Sequence, residues 1–323
     1  MALPLPGADL SRRIAWLPRP VWVGGLTITL VLIALALSVG VPAYQQQVAI
    51  REINRLGGKV RQVPFGPEWI RKLIGDEWMK RVDEVDRVDF ASTQIADSDL
   101  ACLKGLRGLR ELELWGTPIT GAGIVHLKDL PNLRSLGLGW RLDEGELAHL
   151  EKLTNIEELG LCGPQVTDAS LSHLGRLTRL RSLTLSDRHI TDAGIAHLKG
   201  LVNLQRLRLS GTGISDAGLV HLRAMGRLEC LALDSNDISD VGVASLLSLS
   251  RLQHLYLGGT RITDAGLGLL KRLPRLEQLN ISGAPVTKAG IADLKTAFPN
   301  LTGSITPQPR EGQDDPTAND LQK

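Results

Sequence analysis

The chain repeats itself about every 24 residues over most of its length. The aligned turns begin at Val85, Leu109, Leu133, Ile156, Leu180, Leu204, Leu228, Leu252 and Leu276. Seven of the eight steps between them are 24 residues long, and the step from Leu133 to Ile156 is 23. A fixed period in this range is typical of a solenoid, in which each repeat contacts only its neighbours. The period therefore favours a stacked binding scaffold over a globular enzyme core.

Each turn reads as a short strand followed by a helix. In the turn Leu180–Asn203, apolar residues alternate over Leu180–Leu185, which predicts a strand with one buried face. The apolar spacing over Ile195–Leu201 is three or four residues, which predicts a helix. Thr191-Asp192 lies where the period changes. A Thr side chain can accept from exposed backbone N–H groups there, and an Asp suits the positive end of the helix dipole.

Two residue patterns recur at the same repeat position in successive turns and could be mistaken for catalytic or metal-binding motifs. The Ser/Thr-Asp pair returns at Thr167-Asp168, Ser215-Asp216, Ser239-Asp240 and Thr263-Asp264. Histidine returns at His126, His149, His173, His197 and His221. Because no turn adds a second ligand type beside either residue, we interpret the Ser/Thr-Asp pair as a helix cap and the His residues as duplicated sequence. No catalytic residue, metal or cofactor is predicted.

One turn cannot fold alone. Its core side chains each contribute about 1.5–3 kcal/mol when buried, whereas ordering its backbone costs about 1–2 kcal/mol per residue. Stacking buries more surface and pairs the strand of each turn with the next, which predicts a parallel sheet with strands about 4.8 Å apart and helices on the opposite face.

The pattern LxxLxLxxTxITDAGLxxLxxLxx resembles the leucine-rich repeat family, most closely the subtype with an I-T-D-x-G-L helix start found in bacterial repeat proteins and in F-box-associated repeats. The resemblance covers Val85–Ile305, about nine turns, and implies an α/β solenoid with a parallel sheet on the concave face and helices on the convex face. One departure is Thr in place of the family's usual Asn or Cys after the strand. It occurs at Thr93, Thr117, Thr212 and Thr260, with Asn only at Asn236. A hydroxyl can still bond to neighbouring backbone there.

Residues 1–20 precede a stretch, Val21–Gly40, that contains no charge and is long enough to span about 30 Å as a helix. We predict a single membrane-spanning helix. The competing interpretation is a cleaved signal peptide with a site near Val41-Pro42-Ala43, and the chain would then be secreted. An h-region of about 7–15 residues is shorter than this stretch, which favours the uncleaved anchor. Arg12, Arg13 and Arg19 flank its first end, so the repeats are expected on the non-cytoplasmic side.

Residues 41–84 are expected to form an N-terminal cap or linker. The pattern predicts a helix over Tyr44–Leu56, a strand over Lys59–Val63 and a helix over Glu68–Val82. The apolar face of the last helix is expected to cover the open first turn. It consists of Trp69, Ile70, Leu73, Ile74, Trp78 and Met79. Bacterial membrane-anchored leucine-rich repeat proteins have a similar layout, including a Leu-Gly-Gly-x-Val element such as Leu56–Val60. Residues 306–323 are rich in Pro, Asp and Gln and are expected to be disordered.

Composition excludes some partners. With 37 basic and 35 acidic residues, the chain offers no strong attraction for nucleic acid. Cys102, Cys162 and Cys230 lie in different turns, without the spacing of a zinc or redox motif, and are expected to be free thiols.

Residues between the strand leucines should face solvent on the concave side and could contact a partner. The candidates are Glu111, Glu113, Trp115, Trp140, Arg206, Arg208, His254 and Tyr256. Exposed aromatics and Arg are favoured as binding anchors, and acidic residues early with basic residues later offer a polarity for docking.

These observations predict a membrane-anchored, non-catalytic scaffold that binds an unknown protein through its concave face and the lipid bilayer through residues 21–40. The chain has no P-loop, Gly-x-Ser-x-Gly or HExxH motif. The alternative is an F-box-like substrate-recognition adaptor of a ubiquitin ligase. That function would require a helical F-box within Pro42–Glu84, where no convincing Leu-Pro start is found.

Overall fold

The computed structural model describes residues 26–27, 29–30, 33–34, 36–139 and 144–306. The chain divides into two compact units, residues 1–48 with 64–83 and residues 49–63 with 84–323. Within the described residues of the first unit the regular secondary structure is helical. It contains a π-helical turn at Ala36–Gly40, the first half of helix α1 (Val41–Arg55), helix α2 (Glu68–Ile74) and helix α3 (Asp76–Met79).

No helix in the described part of the chain is both long and apolar enough to span a bilayer. The predicted membrane-spanning stretch Val21–Gly40 is only partly within the described residues, so it stays a prediction. Residues 1–20 and the predicted disordered tail beyond residue 306 lie outside them.

The predicted helix Glu68–Val82 is two shorter helices. Gly75, with φ 93°, ends α2 and precedes α3. Of the six apolar side chains on the predicted face, Trp69, Leu73, Ile74 and Trp78 are 52–78% exposed, and the predicted covering of the first turn stays a prediction. Met79 is buried, as the spacing predicts. Apolar spacing shows which side chains share a helix face, but it does not show that anything packs on that face.

The second unit contains a ten-stranded sheet whose strands follow one another in chain order. Strand β1 (Lys59–Val63) is antiparallel to β2 (Glu84–Asp89), and every later strand is parallel to its neighbour. These strands are β3 (Glu111–Leu114), β4 (Ser135–Gly139), β5 (Glu158–Cys162), β6 (Ser182–Ser186), β7 (Arg206–Arg208), β8 (Cys230–Ala232), β9 (His254–Tyr256) and β10 (Gln278–Asn280). The predicted α/β solenoid with a parallel sheet is therefore confirmed.

The shortened turn leaves the strand register intact. Leu138 of β4 pairs with Leu114 of β3 and with Leu161 of β5, so equivalent positions stay aligned. The missing residue of this turn therefore lies after β4, in the connection to Ile156.

The helical segment of each turn is short. The α-helices are α4 (Gly121–Ile124), α5 (Glu144–Leu147), α6 (Asp168–Leu171), α7 (Asp192–His197), α8 (Asp216–Leu219), α9 (Asp240–Leu246), α10 (Asp264–Leu270) and α11 (Lys288–Ala297). Segments of 3₁₀ helix lie at Asp97–Gly105, Val125–Asp129, Ala148–Lys152, Ser172–Arg176, Leu198–Gly200 and Val220–Ala224. Leucines from strands and helices form one continuous core. Each turn thus adds its apolar side chains to the same core, which is why the turns are stable only as a stack.

Residues 49–63 end the parallel stack. Ile53 of α1 and Phe90 after β2 are fully buried. Gly58 has no room for a side chain, because a Cβ would lie 2.6 Å from the Phe90 ring and 2.8 Å from Ile53. The glycine of the Leu-Gly-Gly-x-Val element is therefore explained by close packing at the first turn.

Candidate interaction surface

Side chains at the third, fifth and seventh positions of each turn point away from the core and form what we call the sheet face. On β3, Glu111 and Glu113 alternate with buried leucines. On β7, Arg206 and Arg208 are exposed on either side of buried Leu207. His254 and Tyr256 are half-buried around Leu255 of β9. Trp115 follows β3 at the seventh position and is partly buried. Trp140 lies outside the described residues.

Trp115 lies across two neighbouring strands. A Cβ on Gly137 of β4 would lie 2.5 Å from the indole Nε1, and a Cβ on Gly160 of β5 would lie 2.4 Å from Cη2. The two glycines therefore make room for the ring. The Glu113 side chain also forms a hydrogen bond with Trp115. The indole is held in one place on the sheet face while part of it stays accessible to solvent.

The acidic residues on β3 already have basic partners. The Arg61 guanidinium of β1 lies 2.9 Å from Glu111 and makes three contacts with Asp86, at 2.7, 3.0 and 3.2 Å. Arg87 of β2 lies 3.1 Å from Glu111 and 3.6 Å from Glu113. The acidic end of the predicted charge polarity is thus largely neutralised within the protein.

Neither Arg61 nor Arg87 is among the site residues predicted from the sequence. Arg87 is at the third position of the Val85 turn, so applying the same positional rule one turn earlier would have found it. Arg61 lies on the antiparallel strand outside the repeat, and no repeat position predicts it. The two arginines show that the first described strands of the sheet form a charge network of their own.

Two carboxyl groups in this network have shifted pKa values of opposite sign. The hydrogen bond from Arg61 lowers the pKa of Asp86. Burial raises the pKa of Glu113, even though the Trp115 hydrogen bond and Arg87 act in the opposite direction. Glu113 is therefore more readily protonated than an exposed glutamate.

The centre of the sheet face carries small side chains. Gly160 of β5 and Ser182 and Thr184 of β6 lie between Trp115 and the two arginines of β7. Arg206 lies 3.7 Å from Glu158, and both side chains are more than half exposed. An exposed pair of this kind contributes little to the stability of the fold and leaves both side chains accessible to a partner.

The later strands are linked by hydrogen bonds between turns. The Asp234 carboxylate accepts from the Gly258 N–H and from the Asn280 side chain, both at 2.9 Å. His254 Nδ1 lies 2.9 Å from Gln278 Oε1. Asp234 and Asn280 also occupy sheet-face positions, although they are not among the predicted site residues. Their side chains form hydrogen bonds within the sheet.

The positions after the strands bond to backbone as the sequence predicts. The hydroxyls of Thr93, Thr117, Thr212 and Thr260 each donate to the carbonyl three residues earlier, at 2.6–2.9 Å. Asn236 does more, because its amide donates to the Leu209 carbonyl of the preceding turn at 2.6 Å.

The recurring Ser/Thr-Asp pair has two roles. The Thr191 hydroxyl accepts from the Ala193 N–H at 3.3 Å, which confirms the predicted helix cap. The Asp168 carboxylate accepts from the N–H and the hydroxyl of Thr191 in the next turn, at 2.7 and 2.6 Å. The same pair of bonds joins Asp97 to Thr120, Asp192 to Ser215, Asp216 to Ser239, Asp240 to Thr263 and Asp264 to Thr287. We call these bonds the Asp ladder.

The glycine of each Thr-Asp-x-Gly motif makes room for this ladder. A Cβ on Gly194 would lie 2.3 Å from Asp168 Oδ1 of the preceding turn. The equivalent distances are 2.2–2.3 Å at Gly218, Gly242, Gly266 and Gly290. The motif therefore encodes contacts between turns and needs no ligand to explain it.

The ladder is interrupted around the shortened turn. Gly121 stands at the Asp position and Glu146 at the Gly position of the next turn, and a Cβ on Gly121 would lie 2.5 Å from the Glu146 Cβ. Ser170 occupies the Gly position one turn later, and its hydroxyl lies 3.2 Å from the Thr167 N–H. The ladder resumes at Asp168. The small and large residues have exchanged places across one pair of turns.

The three cysteines are free. Burial raises the pKa of Cys102 to about 11 and also raises the pKa of Cys162 and Cys230. A thiol with a raised pKa is a poor nucleophile at neutral pH. Over the residues that the structure describes, no group of three or more His, Cys, Asp and Glu side chains could hold a metal ion.

Comparison with known proteins supports the fold assignment. Residues 103–307, more than half of the chain, match the family described as leucine-rich repeat region. No curated protein matches the chain significantly. Among solved structures, internalin C2 of Listeria monocytogenes is 25% identical with a TM-score of 0.47, over 61% of this chain and 81% of that one. Internalin F of the same organism is 21% identical with a TM-score of 0.46, over 75% and 88%.

The two internalin likenesses say nothing of what this chain binds. The family match covers the described turns from the 3₁₀ segment at Asp97–Gly105 to the end of the sheet, and the sheet register repeats its period strand by strand. The chain therefore belongs to the leucine-rich repeat family.

Proposed function

We propose that this protein is a non-catalytic scaffold that binds another protein through its sheet face, with Trp115 as the central anchor. Leucine-rich repeat domains are typically interaction scaffolds. The observation that carries the proposal is the position of the indole, which two glycines and Glu113 hold on the sheet while part of it remains accessible to solvent.

An aromatic side chain in a fixed position is suited to binding. Trp is enriched among the residues that contribute most to protein interfaces, because it buries a large area. A side chain that is ordered before binding also loses little conformational entropy when the partner arrives. The strip of small side chains beside Trp115 leaves space for a partner's chain, and Arg206 and Arg208 border its far side.

The partner surface then extends along the strands. Arg206, Arg208, His254 and Tyr256 provide charge and aromatic area beyond the strip. Glu111 and Glu113 have a lesser part in this proposal than their charge suggests, because Arg61 and Arg87 already contact them. Glu113 instead positions the indole.

A photocrosslinking experiment tests the sheet face. A benzophenone amino acid replaces Thr184 on the small-residue strip, or Lys199 on the helical side as a matched control. In intact cells we expect a crosslinked protein adduct from position 184 that is lost in Trp115→Ala and in the double variant Arg206→Glu with Arg208→Glu. An adduct that forms equally from position 199, or that survives both sheet-face variants, would contradict the proposal.

We further propose that Val21–Gly40 anchors the chain in a membrane as a single pass, with the repeats on the non-cytoplasmic side. Its support is the uncharged length of the stretch and the arginines before it. Protease added to intact cells or spheroplasts should digest the repeats while leaving a membrane-bound N-terminal fragment. If the repeats are protected from the protease, they lie on the cytoplasmic side and the proposed orientation is wrong. If they are released into the medium with a new N-terminus near residue 43, the stretch is a cleaved signal peptide and not an anchor.

No observation favours the F-box alternative. That function requires a helical domain at Pro42–Glu84, whereas part of this segment is strand β1, which pairs with β2 in the sheet.

A further inference from the structure

A polar groove of about 400 Å³ lies along the edge of the sheet where the strands begin. Its lining residues are Glu157, Arg179, Arg181, Asn203, Gln205 and Arg227. Glu157, Arg181 and Gln205 immediately precede β5, β6 and β7, so the groove runs across successive turns. It is separate from the sheet-face residues that carry the proposed protein interaction.

Neutral side chains hold two of the three arginines in place. Arg179 Nη1 donates to Asn155 Oδ1 at 2.9 Å, and Arg227 Nη1 donates to Asn203 Oδ1 at the same distance. Each asparagine occupies the same repeat position one turn earlier. Asn203 is itself fixed, because its amide donates to the Thr178 carbonyl at 2.9 Å. The two guanidinium groups are therefore positioned without being neutralised.

The groove has an excess of positive charge. Its lining contains three guanidinium groups and one carboxylate, that of Glu157. Glu157 is shared, since it lies 3.4 Å from Arg181 and 3.5 Å from Arg134 outside the lining. The lining therefore carries two more positive than negative groups, and all three arginines are exposed to solvent.

We propose that this groove binds a tetrahedral anionic ester group, a phosphate or sulfate monoester of a small polar molecule or chain. A guanidinium group offers paired donors that match the oxygens of such a group, and it remains charged at every physiological pH. Arg181 follows Arg179 by two residues, and Arg179 and Arg227 occupy the same repeat position two turns apart, about 10 Å by strand spacing. The guanidinium groups therefore flank a space about two strand steps wide in which one such group can lie. The remaining volume and the Asn203 and Gln205 amides suit the polar molecule that carries the ester.

Titration of the purified full-length protein tests the proposal. The probes are glucose 6-phosphate and glucose 6-sulfate, with sodium chloride added to keep the ionic strength constant and malonate as a dicarboxylate comparator. We expect saturable binding of one equivalent of at least one ester, and the tighter of the two identifies the natural source of the anion. The double variant Arg179→Gln with Arg227→Gln should weaken binding at least about tenfold.

The chain offers a matched control on the same edge. Arg251 and Arg275 occupy the same repeat position in later turns, are exposed, and lie outside the groove lining. The double variant Arg251→Gln with Arg275→Gln should bind the esters as the unmodified protein does. Equal weakening in both double variants would show diffuse surface attraction and overturn the site. Absence of saturable binding, or malonate binding as tight as the esters, would also overturn it.

This inference does not depend on the proposed protein interaction. The double variant Arg206→Glu with Arg208→Glu should lose the crosslinked partner but retain ester binding, and the Arg179 and Arg227 double variant should do the reverse. The two experiments can therefore fail separately.

Discussion

The turns from Ile156 onward and the turns at Leu109 and Leu133 use the same repeat in different ways. From Asp168 to Thr287 every turn donates two hydrogen bonds to an aspartate of the turn before, and a glycine makes room for that aspartate. Around Leu133 the aspartate is replaced by Gly121 and the glycine by Glu146. On the sheet side of the same turns, two glycines make room for Trp115. The regular region shows what holds turns together, and the irregular one shows how two turns pack where the aspartate and the glycine are absent.

The largest expected effect lies in the regular region. Gly218→Ala would place a Cβ 2.3 Å from Asp192 Oδ1, which already accepts from the Ser215 N–H at 2.8 Å. Moving that carboxylate should lower the free energy of unfolding by about 3 kcal/mol, at the upper end of the usual cost of overpacking. Urea titration monitored by circular dichroism measures it.

Gly200→Ala is the control for this substitution, since a Cβ at Gly200 would meet nothing within 4 Å. It should leave the unfolding midpoint unchanged or slightly raised, because Ala is a better helix former than Gly. Equal losses from both substitutions would mean that glycine is required for backbone conformation and not for the ladder.

The interrupted region can be tested by reversing its exchange. Gly121→Asp alone should cost about 2 kcal/mol, because its Cβ would lie 2.5 Å from the Glu146 Cβ. Glu146→Gly alone removes side-chain contacts from the same place. The double variant should recover most of the loss, since it restores the small and large positions found in the other turns. The recovery appears as a coupling energy in a double-mutant cycle of urea unfolding. Additive losses would contradict the compensation.

Much of this comparison could be predicted from the sequence, but not all. Period and alternation predict the parallel register and the sheet face, and the change of period at Thr191 predicts the helix start. The contact between Asp192 and Gly218 was missed, because these residues are 26 positions apart and meet only when turns are stacked in register. Arg61 was missed because it lies outside the repeat. Periodicity predicts which side chains share a face of α2, but it does not identify the neighbour of that face.

A smaller effect tests whether Trp115 anchors the partner or only packs on the sheet face. Gly160→Ala would place a Cβ 2.4 Å from the Trp115 ring and should displace the indole outward at a cost of about 1 kcal/mol. We expect the fluorescence emission of Trp115 to shift to the red; its emission is obtained by subtracting the spectrum of the Trp115→Phe variant. We also expect loss of the partner adduct from position 184. Gly175→Ala is the control, because its nearest contact is an ordinary 3.5 Å. A displaced indole with an undiminished adduct would exclude Trp115 as the anchor.

The smallest expected effect separates the two carboxyl groups of the charge network by pH. The pKa of Glu113 is raised by burial, so the folded state holds its proton more tightly than the unfolded chain does. The stability from this proton is present below the unfolded pKa, about 4.3, and is lost as pH rises through the folded pKa. The free energy of unfolding of the unmodified protein, relative to Glu113→Gln, should therefore increase as pH falls from 7 to 4, by less than about 1 kcal/mol.

Asp86 should show the opposite slope. Its pKa is lowered by the Arg61 hydrogen bond, so its stabilising contribution is present above the unfolded pKa, about 3.9, and is lost as pH falls through the lower folded pKa. The advantage of the unmodified protein over Asp86→Asn should therefore shrink below about pH 4. Urea unfolding of the three proteins across this range measures both slopes. Slopes of the same sign would mean that Glu113 is held mainly by Arg87, and that its carboxylate serves the ion-pair network and not the indole.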